Sequence, residues 1–489
     1  MMNSTSSRWK RLLIAAVVIV GAIGTLLLYD RLFRERQASY FESDEDHFLY
    51  GSVGTEATEG IPYWIWLVLP RIVPDLLPGP GGYASLGIIS ANGREMPVGF
   101  AKTTIGQPRV GTNCAFCHTA SVRLRADDVP MIVPGAPAHQ TNARQYQRFL
   151  FASAGDARFT AGNILGEIAR NYRLSLVDRL LYRFVIIPET RRQLLRQSHQ
   201  SAWTDDRPDW GHGRADVVSP VKLGRLGRSI DKAIGTSDAM PLWNMTRAAG
   251  RGFFWDGLQT SLRDAVVFSA LSDGASRPWL DRDVAKWDDT DARTMSSLRR
   301  VQNYIGALKP PPYPFAVDAA LATVGEVVYK SECAQCHAQG GSRTGQSVPS
   351  LEVGTDGRRL DVWTESATTA YDAFAARRAW KGAGFRTGDG YMSVSLDGVW
   401  LRAPYLHNGS VPSLRDLMEA PANRPARFWR GYDVYDPVKV GFVYEGPDAE
   451  RMGTLHDTAQ PGNGNTGHMY GTTLSAESKR ALVEYLKTR

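Results

Sequence analysis

The residues whose spacing most directly suggests chemistry are the cysteines. The chain has 489 residues and only four cysteines, all of which fall in two short Cys-x-x-Cys-His runs. Two thiols at this spacing can bond to the two vinyl groups of one porphyrin, and the adjacent histidine can then bind the iron. The residues of the two runs are Cys114, Cys117 and His118, and Cys333, Cys336 and His337. We therefore predict two covalently bound haem c groups, with His118 on the first iron and His337 on the second.

Other uses of a Cys-x-x-Cys pair explain less of this pattern. Zinc would require the two pairs to be close together, whereas these runs lie far apart and each carries its own histidine. A structural disulfide or a redox pair leaves both histidines unexplained. Haem attachment accounts for the whole pattern.

Composition is that of a globular protein with ordinary surface charge. Hydrophobic residues make up 43% of the chain and charged residues 22%, which is enough for a sizeable core in two or three folding units. The formal net charge is +7, but no basic cluster with interleaved aromatic residues accompanies it. We therefore exclude nucleic acid as a partner and expect the positive surface to favour acidic redox partners.

An apolar segment near the N-terminus predicts a membrane anchor. Residues 12–29 carry no charge and would span about 27 Å as a helix, which is just enough for the hydrocarbon core of a bilayer. A cleaved signal peptide is the alternative, but no small-x-small cleavage site follows the apolar run. We predict a cytoplasmic stub at 1–11 and a transmembrane signal anchor at 12–29. Residues 61–70 are too short to span, and we expect them to be buried or to lie at the membrane surface.

The soluble part is expected to contain two haem domains. A helical apolar pattern at 317–330 runs into Cys333, and a capping-box start near Ser475 predicts a C-terminal helix; a small cytochrome c packs two such helices together. The proline-rich segment 309–314 is the best boundary. We predict a mainly α fold, with one cytochrome c-like domain at 40–308 that contains a helical insertion near 141–200, and a second at 315–489. The similar runs at 255–264 and 407–416 indicate either a duplication or a shared turn followed by a helix cap.

These motifs together resemble the bacterial di-haem cytochrome c peroxidase superfamily. The Phe-Trp-Asp-Gly run at 254–257 is similar to an element of that family's first haem domain, and residues 402–411 are similar to an element of its second. Within the superfamily, residues 51–56, 60–66 and 467–472 are more similar to the rubber oxygenase branch. The resemblance covers most of residues 100–420 and implies haem c, and it is also the only reason to expect calcium.

The resemblance also ranks the candidates for a sixth iron ligand, which are His139, His407, His456, His468, Met418 and Met469. His468 lies in a Gly-His-x-Tyr-Gly-Thr run that matches the rubber oxygenase ending, where a histidine closes the second haem. His407 is expected to anchor its loop or to reach a propionate. His139 is the only candidate for the first haem, but it does not match the family position, so we expect an open first haem. The remaining histidines, His47, His199 and His212, are expected to be solvated.

The distal residues depart from the peroxidase pattern. Where the resemblance implies a glutamine and a glutamate that work on the peroxide bond, this chain has Ala265 and Ala275, and Asp273 is the only acid nearby. The resemblance therefore implies slow peroxide turnover, which a glutamate at position 275 would raise if the helix lies as in that family. Phe254 and Trp255 are the expected catalytic residues, with Trp255 against or between the haems, and Phe253 and Phe268 are further candidates for an apolar wall.

Three classes of function remain. The first is an oxidoreductase that activates peroxide or dioxygen at the first haem, with the second haem relaying electrons; a dioxygenase of the rubber oxygenase type is a variant of it. The second is an electron carrier in which both irons are six-coordinate, and the third is an assembly cytochrome of a membrane complex.

Covalent haem attachment occurs outside the cytoplasm, so we expect a single-pass inner-membrane protein whose soluble part lies in the periplasm. A small cytochrome or a cupredoxin would exchange electrons with it.

Overall fold

The computed structural model describes residues 4–245 and 252–489. Helix outweighs strand, 44% against 11%, which confirms the prediction of a mainly helical chain. The α-helices are Ser4–Leu32, Asp44–Tyr50, Tyr63–Ile72, Ala143–Gly155, Ala161–Asn171, Leu176–Leu181, Ile187–Gln200, Leu262–Asp273, Arg277–Val284, Ser297–Ala307, Ala319–Glu332, Ala334–His337, Ser350–Val353, Glu365–Phe374, Leu414–Leu417, Pro447–Met452 and Ala476–Leu486.

The strands are short and every named pairing between them is antiparallel. Ile61–Pro62, Gln107–Thr112 and Phe100–Ile105 form a three-stranded sheet in that spatial order. The two-stranded pairs are Thr119–Val122 with Met131–Pro134, Arg214–Ala215 with Ser237–Asp238, Ser347–Pro349 with Gly390–Met392, Arg427–Arg430 with Thr454–Asp457, and Tyr435–Asp436 with Gly441–Phe442.

The N-terminal helix Ser4–Leu32 extends beyond the predicted span at both ends. Its stretch Trp9–Leu32 is long and apolar enough to cross a membrane, and none of it is buried against the rest of the chain. At 1.5 Å per residue these residues cover about 36 Å, more than the hydrocarbon core needs. The expected second apolar segment is the helix Tyr63–Ile72, and its Ile65, Trp66, Val68 and Leu69 are buried. Of the two predicted alternatives for this segment, burial is therefore the observed one.

Two hydrophobic cores organise the soluble part. The first gathers buried residues from 48 to 305, including the helices of the predicted insertion, and also takes in Val362 to Trp380 from the C-terminal half. The second gathers residues from 329 to 486 and also takes in the hairpin of Thr119–Val122 with Met131–Pro134. Each half of the chain therefore lends a segment to the core of the other. The domain boundaries stay a prediction.

The similar runs at 255–264 and 407–416 belong to two turns with the same backbone. Phe254 and Leu406 both lie in the left-handed region, with φ of 67° and 70°, and the glycines three residues later, Gly257 and Gly409, have φ of 68° and 60°. Each turn closes with a backbone hydrogen bond, from Phe253 N to Gln259 O and from Tyr405 N to Val411 O. Ser261 and Ser413 then cap the following helices. The two turns place Trp255 and His407 at equivalent positions.

Candidate haem sites

The first Cys-x-x-Cys-His run follows a strand. Gln107–Thr112 leads to Asn113, whose side chain accepts a hydrogen bond from Ala115 N and donates one to Gly51 O. This cap starts the short turn Cys114–Phe116, so that the thiols of Cys114 and Cys117 line the same cavity as His118. Both thiols therefore face the space that a porphyrin would need.

His118 is held in an orientation suited to metal binding. Its Nδ1 lies 2.8 Å from the carbonyl oxygen of Met240, and this bond leaves Nε2 as the nitrogen that can bind iron. Burial lowers the pKa of the His118 imidazole to about 4, so the ring is neutral, which is the form that a metal requires.

The wall of the first cavity is largely apolar. Phe253, Phe254 and Trp255 line it together with Ala265 and Val266 of the helix Leu262–Asp273. The left-handed backbone of Phe254 is uncommon for a bulky residue, and the closing hydrogen bond of the turn holds it in place. Phe268, another predicted wall residue, is buried in the first core, where it packs edge-on against Trp363, and it does not line the cavity.

Two carboxyl groups line this largely apolar cavity, those of Asp238, which pairs with Arg430, and of Asp273. Asp273 is the last residue of the helix Leu262–Asp273, and burial raises the pKa of its carboxyl to about 7. Ala265 lines the cavity as well, but Ala275 lies beyond the end of the helix, fully buried and away from the cavity. The condition on which a glutamate at position 275 was expected to act on peroxide is therefore not met, because the helix ends before it reaches that residue.

The second Cys-x-x-Cys-His run follows a helix, as predicted. Ala319–Glu332 runs directly into Cys333 and packs against the C-terminal helix Ala476–Leu486. A Cβ on Gly325 would come within 1.9 Å of the carbonyl oxygen of Ala481, so only glycine allows this close approach. The buried face consists of Ala322, Gly325 and Tyr329, whereas the expected core residue Val324 is exposed.

A second histidine faces His337 across the second cavity. The Nδ1 of His337 lies 2.7 Å from the carbonyl oxygen of Val394, and the ring centroids of His337 and His468 are 6.3 Å apart. Two imidazoles on opposite sides of one metal would have centroids about 6 Å apart, given bonds of about 2.0 Å and about 1.1 Å from each nitrogen to its ring centre. Burial lowers the pKa of both rings, so both are neutral. The pair fits a bis-histidine iron.

The loop that carries His468 is held in place by the close packing of Gly467 and by hydrogen bonds from the buried Arg424. Gly467 packs on Gly354, where a Cβ would come within 2.3 Å of the Gly354 carbonyl carbon, and His468 N donates to Val353 O at 2.7 Å. The guanidinium of Arg424 donates to the carbonyls of Gly467 and His468 at 2.9 and 3.2 Å. His468 itself has φ of 47°, so its uncommon backbone is held by these contacts.

His407 lines the second cavity from the side. Its ring stacks on Tyr391 with centroids 4.0 Å apart, and its carbonyl accepts a hydrogen bond from Asp238 N. The next residue, Asn408, donates to the carbonyls of Gly462 and Gly464, and so ties this turn to the loop of His468. These contacts are consistent with the predicted anchoring role. Met418 also lines this cavity.

Buried arginines near the cavities fit the carboxylate groups of a porphyrin. Arg214 and Arg359 line the first cavity and Arg402 the second, and in each the Nε is buried without a hydrogen-bond partner. Burial lowers the pKa of Arg214 to about 9 and that of Arg402 to about 10. A buried cation needs an anionic partner; Arg359 has one in Asp256 at 3.4 Å, and haem propionates would supply one to Arg214 and Arg402. Sequence reasoning missed Arg214 and Arg359, which lie outside any motif.

Trp255 borders both cavities. It lines the first beside Phe254 and the second beside His407, and its indole nitrogen donates to the carbonyl of Asp238 at 2.8 Å. Asp238 and Ala239 also line both cavities. The predicted position of Trp255 between two haems therefore fits the arrangement of the cavities.

Several histidines lie away from both cavities. His139 stacks on Phe442 with centroids 3.3 Å apart, and His456 contacts Arg214 through Nδ1, but neither lines a cavity. The expectation that His47 and His212 are solvated is wrong, because both are buried and bond to Ser297 and Thr454 respectively. Hydrogen-bonded core positions outweigh the polarity of these two rings.

The described residues contain no group of three or more His, Cys, Asp or Glu side chains arranged for a metal ion. Calcium was expected only from the family resemblance, so it gains no support here. The two cavities, in contrast, are each lined by both cysteines and the histidine of one Cys-x-x-Cys-His run.

Comparison with known proteins supports the second cavity as a cytochrome-like site. Residues 390–430 match the family model "RoxA-like, cytochrome c-like". This stretch contains Val394, which bonds to His337, and Arg402, His407 and Met418, which line the second cavity. The match supports haem c as the cofactor and the resemblance to the RoxA-like branch.

Two proteins of Sinorhizobium fredii (strain NBRC 101917 / NGR234) are similar to this chain. It is 33% identical to the uncharacterized protein y4iM over 233 residues, which cover 39% of this chain and 53% of y4iM. It is 25% identical to the uncharacterized protein y4iJ over an alignment that covers 92% of each. The chain thus spans about half the length of the first relative and nearly all of the second.

Proposed function

We propose that the chain is a membrane-anchored di-haem c-type cytochrome that acts as a RoxA-like oxidoreductase. Dioxygen or peroxide would bind at the first haem, and the second haem would relay electrons. The observation that carries this proposal is the difference between the two proximal histidines. His337 faces His468 across 6.3 Å, whereas no second histidine among the described residues lines the cavity of His118.

Bound haem would supply an iron that binds small ligands and changes its oxidation state. The chain's own residues would control access and protons. Phe253, Phe254 and Val266 keep water from the first cavity, and Asp273 can hold a proton there. Trp255 contacts both cavities and is the candidate path for an electron.

The apolar wall favours a dioxygenase of the rubber oxygenase type as a second candidate. Phe253, Phe254 and Leu262 offer no hydrogen bond to a polar substrate, so an apolar substrate beside bound dioxygen fits this cavity. Asp273, in contrast, favours peroxide, since cleavage of its O–O bond needs a proton. A pure electron carrier would need a sixth ligand for the first iron, and Met240 and Met245 are the thioethers that line that cavity.

A small periplasmic cytochrome or cupredoxin is the proposed electron partner. Apolar side chains are exposed near the second cavity. Tyr470 lines this cavity, and Met469 and Leu351 are neighbours in sequence of residues that line it. Weak, small and partly apolar contacts are typical of electron-transfer encounters. Docking there would bring the partner close to the second haem.

Carbon monoxide binding tests the proposal. After the haem content has been measured, the fully reduced protein should bind carbon monoxide quickly at one haem per chain. Phe254→Ala should change the binding rate severalfold at unchanged haem content, because it opens the wall of the first cavity. Met245→Leu, which removes a thioether from the same cavity, should change little if the first iron is open. If neither iron binds carbon monoxide until Met245 is replaced, the electron-carrier alternative is correct.

A further inference from the structure

The helical segment that continues from Leu176–Leu181 into the wide turn Tyr182–Ile186 is apolar on two faces. Leu181, Tyr182 and Ile186 face the first core and are buried. A second apolar surface points outward, and we call it the outer apolar surface: Leu176, Val177, Leu180, Phe184 and Val185 are exposed. A helix that is apolar on two faces is usually buried on both, so the second face requires a cover.

This surface lies beside the end of the N-terminal helix. Arg31, in the last turn of Ser4–Leu32, forms an ion pair of 2.5 Å with Asp178, which is in the same helix as Leu176 and Leu180. Gln107 donates to the Asp178 carboxylate and to the carbonyl of Arg31, and so links the two helices to the sheet. The outer apolar surface is therefore close to the point where the anchor would leave the bilayer.

The connection between the anchor and the soluble part is short and tied down. Arg36 N donates to Thr104 O at 2.8 Å and Gly106 N donates to Arg34 O at 2.8 Å, which continues the sheet by one short pairing. A Cβ on Gly106 would come within 2.3 Å of the carbonyl carbon of Leu32, so the turn of the hairpin touches the end of the anchor. These contacts prevent the soluble part from moving away from the membrane on a flexible linker.

The charges around the outer apolar surface match a lipid boundary. Arg179 and Arg183 are exposed on this segment and Arg173 is exposed just before it, and the guanidinium of Arg183 lies 5.7 Å from the ring centre of Phe184. Basic side chains that flank an apolar face are typical of helices that lie in the headgroup region, where the arginines contact lipid phosphates. A protein partner could cover the outer apolar surface without basic residues around it and at any distance from the end of the N-terminal helix.

From this geometry we infer that the outer apolar surface inserts into the headgroup–acyl boundary of the bilayer that the N-terminal helix crosses. The inference rests on the proposed membrane anchoring. It adds a second contact with lipid, made by Leu176, Leu180 and Phe184, which fixes how the soluble part is oriented. The two cavities would then face a set direction relative to the membrane surface.

Spin labels on the full-length holoprotein in nanodiscs of phosphatidylethanolamine and phosphatidylglycerol test this inference. Phe184→Cys carries the test label, and Val438→Cys is the matched control, since these side chains are 67% and 68% exposed. Val20→Cys, at 68% exposure on the anchor, reports whether the helix itself is inserted. The haem spectrum of each variant shows that the fold is retained.

The expected result is that labels at 184 and 20 collide readily with dissolved oxygen and poorly with a water-soluble nickel complex, whereas the label at 438 does the reverse. A label at 184 that resembles the one at 438, while 20 is in lipid, overturns this inference and leaves the anchor intact. A label at 184 that is immobile and shielded from both reagents shows a protein cover and also overturns it. A label at 20 that is exposed to water overturns the anchor and this inference together.

Discussion

Single backbone carbonyls orient both proximal histidines. Met240 O accepts from His118 Nδ1 and Val394 O accepts from His337 Nδ1, at 2.8 and 2.7 Å. Each bond fixes the tautomer and directs Nε2 towards the cavity, and burial keeps each ring neutral. The two histidines proposed as first iron ligands are therefore held alike, and any difference between the proposed irons would come from the opposite side of each cavity.

His468 is the residue expected to create that difference. His468→Ala should convert the second haem from low-spin to high-spin and shift its potential, because the ring that faces His337 is removed. His456→Ala is the matched control, since His456 is buried near Arg214 but does not line the cavity. Electron paramagnetic resonance checks the spin state. An unchanged low-spin signal in His468→Ala would pass the role to His407 if it is bis-histidine in type, and to Met418 if it is histidine–methionine in type.

Asp273 is expected to set a pH dependence at the first haem. Its pKa is raised from 3.8 to about 7, so the carboxyl holds a proton below pH 7 and loses it above. The wild-type rate with peroxide should therefore fall by about tenfold per pH unit above 7, if this proton is required. Asp273→Asn should be slower below pH 7 and flat across that range. Ser269→Ala, one turn earlier on the same cavity wall, should keep the wild-type profile.

Among the secondary-structure elements, those with a local signal were predictable. The helix before Cys333 and the C-terminal helix follow from apolar periodicity and capping residues, and the N-terminal helix follows from its long uncharged apolar run. The strand before Cys114 was not expected, because its pairing with Phe100–Ile105 depends on a turn rather than on periodicity. The distal residues were expected from the family resemblance to follow one helix. The helix Leu262–Asp273 ends before Gly274, and Ala275 therefore does not line the cavity.

The contact between Ala319–Glu332 and Ala476–Leu486 makes a prediction at the scale of helices. Gly325→Ala should lower the free energy of unfolding by about 1–3 kcal/mol, because the methyl group would push the two helices apart. Gly166→Ala is the matched control: it lies in the exposed part of Ala161–Asn171 with nothing within 4 Å of its Cβ. This control should be stabilised by about 0.5–1 kcal/mol.

Thermal or denaturant unfolding of both variants measures the difference. If Gly325→Ala unfolds like the wild type, the helices are less closely packed than a Cβ at 1.9 Å from Ala481 O requires. Loss of the haem signal at the second site during unfolding would show whether this helix pair supports Cys333, which directly follows it.

At the scale of the whole molecule, the sites depend on contacts that no local pattern reports. Trp255 borders both cavities, and Arg214 and Arg359 reach the first from segments that no motif marks. The segment from Val362 to Trp380 joins the first core although it follows the second Cys-x-x-Cys-His run. Sequence reasoning could identify the candidate ligands that each motif carries. The burial of Arg214 and Arg359, and the position of Trp255 between the two cavities, arise only from long-range packing.

This arrangement predicts that the two haems can be removed one at a time. Cys333→Ala with Cys336→Ala should reduce the covalent haem count from two to one and leave carbon monoxide binding in place, because the first cavity is backed largely by its own core. Cys114→Ala with Cys117→Ala should also leave one haem but abolish fast carbon monoxide binding. Each double variant is the matched control of the other.

A pyridine haemochrome assay after acid–acetone extraction counts the covalent haem, and one haem, or zinc, in the unaltered protein would contradict the di-haem assignment. If carbon monoxide binding is lost with the second pair of cysteines instead, the catalytic role belongs to the haem on His337.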